Sequence, residues 1–204
     1  MPKIATLAAA RLVGVPGEPF EVGTVVLVEG VSDQRAVQAL ATRFGRDLAA
    51  EGVAVVPMGG ATNIGRFLDR LGPGGSNVRV VGLCDAGEAN GIRRALARAG
   101  FGRDPAQLDL DRLGFFVCDA DLEDELIRAL GVAAVQRVID DERELGSLRT
   151  LQQQPAQRAR TDEQQLHRFL GTRAGRKIRY AQLLVEALDL SRVPAPLADL
   201  LARI

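Results

Sequence analysis

Residues 25–33 of this chain read VVLVEGVSD, and this stretch decides the fold that the rest of the sequence completes. A continuous apolar run rich in β-branched residues is typical of a parallel strand that is buried on both faces. It predicts a strand over Thr24–Glu29, with its last residue at the carboxyl end, where open α/β sheets bind their ligands. Gly30 lets the backbone turn, and Ser32 is a suitable N-cap for a helix with Asp33 in its first turn. The stretch therefore predicts two carboxylates close together at one edge of a sheet, although a single acid at a strand end is most often only hydrated.

Size and composition predict a folded globule. The chain has 204 residues, of which 47% are hydrophobic, and it carries 26 basic and 26 acidic residues. Nucleic-acid binding would therefore require a local basic patch rather than a net positive charge. Two separated cysteines and a single histidine argue against a disulfide framework and a structural zinc site. No apolar run reaches the roughly 20 residues of a membrane helix, so we expect no membrane contact and a cytoplasmic location.

The sequence alternates between strand and helix patterns. Three more apolar runs predict strands over 53–58, 78–83 and 113–118, and apolar residues at helical spacing predict helices over 32–50, 62–71 and 89–99. Such alternation predicts the α/β class, with a mostly parallel four-stranded sheet, right-handed crossovers and helices on both faces. We expect three regions: an N-terminal lead-in over 1–23, an α/β core over 24–131 and a helical C-terminal extension over 132–204. Packing of this extension on the core and a role in homo-oligomerisation both stay open.

Acidic residues follow the strands at equivalent places. Asp85 and Asp119 follow the third and fourth strands as Glu29 follows the first, and the carboxyl ends of parallel strands share one edge. Like charges packed together are tolerated only with a cation or with raised pKa values. Carboxylate oxygens favour Mg²⁺ or Mn²⁺, which serve phosphoryl chemistry. For Asp119, capping of the next helix is the simpler explanation.

A known family shares these features. Residues 27–33 resemble the first motif of TOPRIM domains, a strand that ends in Glu-Gly with an acid soon after. These domains occur in topoisomerases, primases, small ribonucleases and OLD-family nucleases. Their second motif is an Asp-x-Asp pair. Asp85 matches its first acid, and Gly87 stands where the second is expected.

The resemblance is closest to the TOPRIM domain of OLD-family nucleases and spans about residues 24–190. Asp121-Leu122-Glu123 resembles their acidic element at a helix start, and Lys177 resembles their later lysine. It implies a TOPRIM-type, Rossmann-like four-stranded sheet with a helical C-terminal extension. OLD proteins usually carry an ATPase domain ahead of this one. The sequence contains no Gly-x-x-x-x-Gly-Lys-Ser/Thr loop, so we expect a stand-alone domain that relies on a separate ATPase subunit.

The resemblance implies a metal-dependent nuclease that cleaves phosphodiester bonds in DNA with Mg²⁺ or Mn²⁺, by a two-metal mechanism. The implied catalytic residues are Glu29 and Lys177; the implied metal ligands are Glu29, Asp33, Asp85, Asp121 and Glu123; and the residues expected to contact nucleic-acid phosphates are Arg173, Arg176 and Arg179.

Two alternatives stay open. One is a small TOPRIM ribonuclease that acts on structured RNA. The other is a non-catalytic module that binds nucleic acid or a partner protein, for which Gly87 is the argument. Endonuclease and exonuclease activity, the number of metal ions and the oligomeric state are equally open at this point.

Overall fold

A four-stranded parallel sheet forms the centre of the fold. The computed structural model describes residues 22–76 and 78–204, and the predicted lead-in lies outside these residues except for its last two positions. The strands are β1 (Thr24–Val28), β2 (Val53–Pro57), β3 (Arg79–Asp85) and β4 (Phe115–Cys118), in the spatial order β2-β1-β3-β4. All neighbouring strands pair in parallel, which confirms the predicted sheet.

Helices follow the strands and continue to the end of the chain. Their bounds are α1 (Val31–Arg43), α2 (Ile64–Leu71), α3 (Ala89–Arg98), α4 (Leu110–Leu113), α5 (Leu122–Leu130), α6 (Val132–Asp141), α7 (Leu145–Gln152), α8 (Asp162–Leu170), α9 (Ala174–Ala187) and α10 (Ala195–Arg203). Among the helices of the described ranges, none is both long and apolar enough to cross a bilayer.

The sheet is buried on both faces, as its apolar strands require. Val25 and Leu27 of β1 point to one face, where α2 and α3 cover them. Val26 and Val28 point to the other face, where they share a core with α1 and with buried residues of α5 to α10. The helices after residue 131 therefore contribute to the same hydrophobic core as α1.

The first helix is shorter than the sequence pattern predicts. It ends at Arg43 rather than at Ala50, because Gly45 adopts the left-handed conformation with φ 73° and the chain turns there. The Arg46 amide then donates a hydrogen bond to the Ala41 carbonyl at 3.0 Å, which closes the helix end. Leu48 is still buried in the core, although it lies in the turn after the helix. Its apolar side chain therefore indicates burial and not a helical residue.

A switch in topology locates the ligand edge of the sheet. The connection after β1 runs through α1 on one face to β2, whereas the connection after β3 runs through α3 on the opposite face to β4. β1 and β3 are adjacent, so their connections diverge at the carboxyl ends and leave a crevice between them. Open α/β sheets bind ligands at such a point. Glu29 and Asp85 stand at its two sides.

Close contact between β1 and β3 depends on Gly82. A Cβ atom added at this residue would lie 2.8 Å from the Leu27 carbonyl oxygen and 2.9 Å from the Phe115 ring. Only glycine allows the neighbouring strands to pack at this distance. A side chain at this position would therefore disturb the packing of β3 against β1 and Phe115.

Candidate active site

Glu29 is held by the loop that follows β2. Its backbone carbonyl accepts hydrogen bonds from the Gly59 and Gly60 amides at 3.0 and 3.1 Å. Both glycines have positive φ, 71° and 118°, which residues with a Cβ adopt only at a cost. Asn63 stabilises the turn by donating from its side-chain amide to the carbonyls of Met58 and Gly59. The loop therefore positions the backbone of the residue that directly follows the first strand.

Asp33 lies in the first turn of α1, as predicted. Its Oδ2 accepts the Gly30 amide at 2.8 Å, so the side chain closes the start of its own helix. Burial raises the pKa of Asp33, and the carboxylates of Glu29 and Asp121 raise it further, whereas the Gly30 amide and Lys177 oppose the shift. Asp33 is thus close enough to both acids for their charges to act on it.

Asp121 and Glu123 both come from the start of α5. Asp121 is the N-cap, and its Oδ1 accepts the Asp124 amide at 2.8 Å. Glu123 has a side chain only 5% exposed, and its Oε2 forms an ion pair with Lys177 at 3.0 Å. Its Oε1 is buried without a hydrogen-bond partner in the described part of the chain. An unsatisfied buried carboxylate oxygen calls for a missing partner, such as an ion.

Lys177 approaches these acids from the first turn of α9. Burial opposes the charge of its ammonium group, but the Glu123, Asp33 and Asp121 carboxylates prevail and raise its pKa. The lysine remains charged and partly neutralises the acidic set. α9 packs along α1, which explains how a residue 144 positions beyond Asp33 reaches it.

Asp85 shows most clearly how close the acids are. Burial, followed by the carboxylates of Glu29, Asp121 and Asp33, raises the pKa of Asp85 to about 7, and Lys177 only partly opposes this. The charges of Glu29, Asp33, Asp121 and Lys177 therefore all act on Asp85. Asp119 lies apart from them: its side chain is 83% exposed and faces Arg128 at 3.8 Å.

His167 is a site residue that the sequence reasoning missed. Its Nε2 lies 2.6 Å from Asp121 Oδ2, and the hydrogen bond to this carboxylate raises the pKa of the imidazole. In turn, burial would raise the pKa of Asp121, but His167 and the Asp124 amide outweigh it and lower it. A lone histidine in a polar helical stretch gives no local signal of this contact, because α8 reaches α5 only through tertiary packing.

The donor set suits a hard divalent cation. Over residues 22–76 and 78–204, no three His, Cys, Asp or Glu side chains are already arranged to hold one ion. The acids nevertheless offer only oxygen donors, which Mg²⁺ and Mn²⁺ prefer, and Glu123 Oε1 lacks a partner. The residues therefore fit such an ion by their chemistry and by the charge repulsion it would relieve.

The three arginines expected to contact phosphates have different surroundings. Arg176 is 7% exposed: it pairs with Glu144 at 2.9 Å, and its guanidinium stacks on Phe169 at 4.0 Å. Arg179 pairs with Glu142 and Glu144. The exposed Arg173 is the N-cap of α9. Arg176 is therefore held inside the chain, whereas Arg173 is open to solvent.

Comparisons with known proteins agree with this fold. A family model described as "Overcoming lysogenization defect protein-like, TOPRIM domain" matches residues 22–86. The C-terminal region of the Xanthomonas campestris pv. campestris OLD protein, phased with platinum, is 32% identical with a TM-score of 0.71, over 92% of this chain and 94% of that chain. The C-terminal region of the Burkholderia pseudomallei OLD protein shares the fold at 24% identity, with a TM-score of 0.68, over 90% of this chain and 97% of that chain. No curated protein matches the chain.

The structural match extends beyond the segment that carries the Glu-Gly motif. The Xanthomonas region aligns over most of both chains, so the helices after the sheet belong to the shared fold as well. The chain therefore belongs to the OLD family, as a member with the OLD-like TOPRIM domain.

Proposed function

We propose that this chain is a nuclease that uses Mg²⁺ or Mn²⁺ to hydrolyse phosphodiester bonds in DNA. OLD-like TOPRIM domains form a nuclease-type family, and TOPRIM domains generally bind divalent metals. The proposal for this chain rests on Glu123, whose buried Oε1 has no partner among the described residues, and on Asp85, whose pKa is raised to about 7 by burial and then by the carboxylates of Glu29, Asp121 and Asp33. Such repulsion is relieved when a cation binds.

The acids divide into two groups by the elements that carry them. Glu29, Asp33 and Asp85 come from the β1–α1 and β3 ends, and we assign them to one ion. Asp121 and Glu123 come from the start of α5, and we assign them to a second ion. Bound ions of this kind activate a water molecule and neutralise charge on the phosphate.

Lys177 supplies positive charge to the reaction in this proposal. In the structure its ammonium group is held by Glu123 at 3.0 Å, while the side chain stays 42% exposed. An ion held by Glu123 would neutralise this carboxylate, and the ammonium group of Lys177 would then be available to a phosphate oxygen. A fixed cation near the developing negative charge stabilises the transition state more than the ground state.

The remaining parts of the proposal concern partners. The sequence contains no phosphate-binding loop of the Gly-x-x-x-x-Gly-Lys-Ser/Thr type. We propose DNA as the nucleic acid that the chain acts on, and an ATPase as its partner.

Plasmid cleavage tests the proposal. The protein is incubated with supercoiled plasmid and, separately, with structured RNA, in Mg²⁺, in Mn²⁺ and in EDTA. We expect the plasmid to be cut only with metal, and the Glu29→Gln variant to lose at least about 100-fold in rate, because a neutral amide replaces a ligating carboxylate.

Asp119→Asn is the matched control, since it removes an acid that also follows a strand but lies exposed and outside the set. It should cut like the unchanged protein. Metal-independent cutting, or full activity of Glu29→Gln, would contradict the proposal. Cutting of RNA but not of DNA would instead support the ribonuclease alternative.

One observation favours a non-catalytic binding module as the second candidate. Gly87 occupies the place of the second acid of the Asp-x-Asp motif, and a Cβ atom there would meet nothing within 4 Å. The site therefore has one carboxylate fewer at this edge than the Asp-x-Asp motif would provide. DNA binding without cleavage in any metal would support this candidate.

A further inference from the structure

A cavity beside the acids has walls of opposite character. It is open to solvent, has a volume of about 560 Å³, and is lined by Asp85, Ala120, Asp121, Asp124, Arg160, Gln164 and His167. One wall carries the carboxylates at the ends of β3 and the start of α5. The other wall carries Gln164 and His167 of α8 and Arg160, which lies two residues before this helix.

Arg160 is the basic residue with a free charge on this second wall. It is exposed and, within residues 22–76 and 78–204, no carboxylate oxygen lies within 4.0 Å of its guanidinium. Arg176 and Arg179, in contrast, are both paired with Glu144. The guanidinium of Arg160 is therefore available to an anion that enters the cavity.

Gln164 adds a donor with a defined orientation. Its Oε1 accepts the Thr161 amide at 3.1 Å, while Thr161 Oγ1 accepts the Gln164 amide at 3.3 Å. This reciprocal capping arrangement occupies the side-chain oxygen of Gln164. Gln164 lines the same cavity as Arg160, and its side-chain NH₂ group is left to donate.

We infer that Arg160 and Gln164 form a phosphate-binding subsite that anchors the DNA backbone beside the acids. This inference rests on the proposed function and says where the strand binds: at the start of α8 rather than along the arginines of α9. A planar guanidinium and an amide together suit two oxygens of one phosphodiester. Because the facing wall is acidic, DNA should enter only when divalent cations neutralise it.

Binding of a short fluorescein-labelled DNA duplex, measured by anisotropy in Ca²⁺ and in EDTA over a range of salt concentrations, tests the inference. We expect Arg160→Ala to weaken binding in Ca²⁺ by about tenfold or more, as for loss of a charged hydrogen bond. The slope of log affinity against log salt should fall by about one. Gln164→Glu keeps the capping oxygen but replaces the donor with an acceptor, so it should weaken binding too.

Arg158→Ala is the matched control, because Arg158 is exposed in the same turn but does not line the cavity. It should bind like the unchanged protein, and thermal unfolding should show that all three variants fold. Equal affinities of Arg160→Ala and Arg158→Ala would overturn the subsite.

Plasmid cleavage by the same variants separates this inference from the proposed function. If the unchanged protein cuts DNA and Arg160→Ala cuts and binds equally well, the subsite is wrong while the nuclease assignment stands. If binding depends on Arg160 but no metal supports cutting, the subsite stands and the nuclease assignment is wrong. If the unchanged protein binds no DNA, both are overturned.

Discussion

Two acids in one helical turn illustrate how much the environment decides. Each carboxylate oxygen of Asp121 has one hydrogen-bond partner, the Asp124 amide on Oδ1 and His167 on Oδ2. Glu123, two residues later, is buried and has one oxygen paired with Lys177 and the other without a partner. Asp121 therefore stays ionised, whereas burial raises the pKa of Glu123. Two carboxylates that are equivalent in the sequence therefore differ in their pKa and in their hydrogen-bond partners.

Asp85 gives a prediction at this scale. Its pKa is about 7 in the folded chain, against an ordinary value of 3.8, so the unfolded chain loses this proton first as the pH rises. Between these two values the folded state binds more protons, and in EDTA its stability should fall with rising pH and then level off above about 7. Asp85→Asn should raise the midpoint of thermal unfolding at alkaline pH and flatten this dependence.

The measurement is a series of calorimetric scans in EDTA across that range. Asp119→Asn is again the control, since its exposed side chain should leave the curve unchanged. A steeper pH dependence in Asp85→Asn, or a lower unfolding midpoint above pH 7, would show that the ionised Asp85 carboxylate does not destabilise the folded chain.

At the scale of the element, α9 sends consecutive side chains to different places. Arg176 is buried against Phe169 and bonds Glu144, whereas Lys177 reaches Glu123 in the acidic set. Consecutive helical residues lie about 100° apart around the axis, so one can face the interior while the next faces the site. A basic stretch in sequence is therefore not one surface, and burial decides which of its members can contact a ligand.

Arg176→Ala tests the structural role of this helix turn. The guanidinium bonds Glu144 at 2.9 Å and the Phe169 carbonyl at 3.3 Å, and Glu144 also accepts from Tyr180 at 3.1 Å. Removal of one partner of a buried pair leaves the other uncompensated. We expect the free energy of unfolding to fall by about 2–3 kcal/mol, below the full cost because Glu144 is 22% exposed.

Urea unfolding measures this change, and Arg173→Ala, at the exposed N-cap of the same helix, should stay within about 0.5 kcal/mol of the unchanged protein. If Arg176→Ala unfolds like Arg173→Ala but loses DNA affinity, the arginine acts on the ligand after all.

At the scale of the whole molecule, one core joins the first helix to the last. Tyr180, Ala181 and Leu184 of α9 share a buried cluster with Val37 and Leu40 of α1. Two arginines near the end of α1 donate hydrogen bonds to distant backbone carbonyls. Arg43 donates to the carbonyls of Val185 and Leu188. Arg46 donates to the carbonyls of Leu201 and Ile204. These contacts satisfy orphan groups at the ends of α9 and α10.

A chain that ends at residue 131 tests whether the α/β core folds alone, as the predicted division at that residue implies. It would expose the face of α1 that now packs on α9, and it would lack Lys177. We expect this shortened chain to bind the dye ANS and to lose a cooperative thermal transition, because a large part of its core is missing. A sharp unfolding transition without dye binding would show that residues 24–131 form an independent domain.

Local patterns predicted much of the architecture. The apolar runs marked all four strands, because a strand covered on both faces must be apolar throughout. Apolar residues at helical spacing marked α1, α2 and α3, but the N-cap of α1 is Gly30 rather than the predicted Ser32. The end of α1 was misjudged, because Leu48 is buried in a turn and mimics the helical pattern.

The sequence by itself determined the chemical types at the site and their order: acids after strands, an acidic helix start and a late lysine. Short motifs are local, so they can be recognised without the fold. Only the tertiary structure decided the contact of His167 with Asp121, the burial of Arg176 and the position of Arg160 in the cavity. These depend on how α8 and α9 pack against α1 and α5, and such packing is set by contacts between residues far apart in the chain.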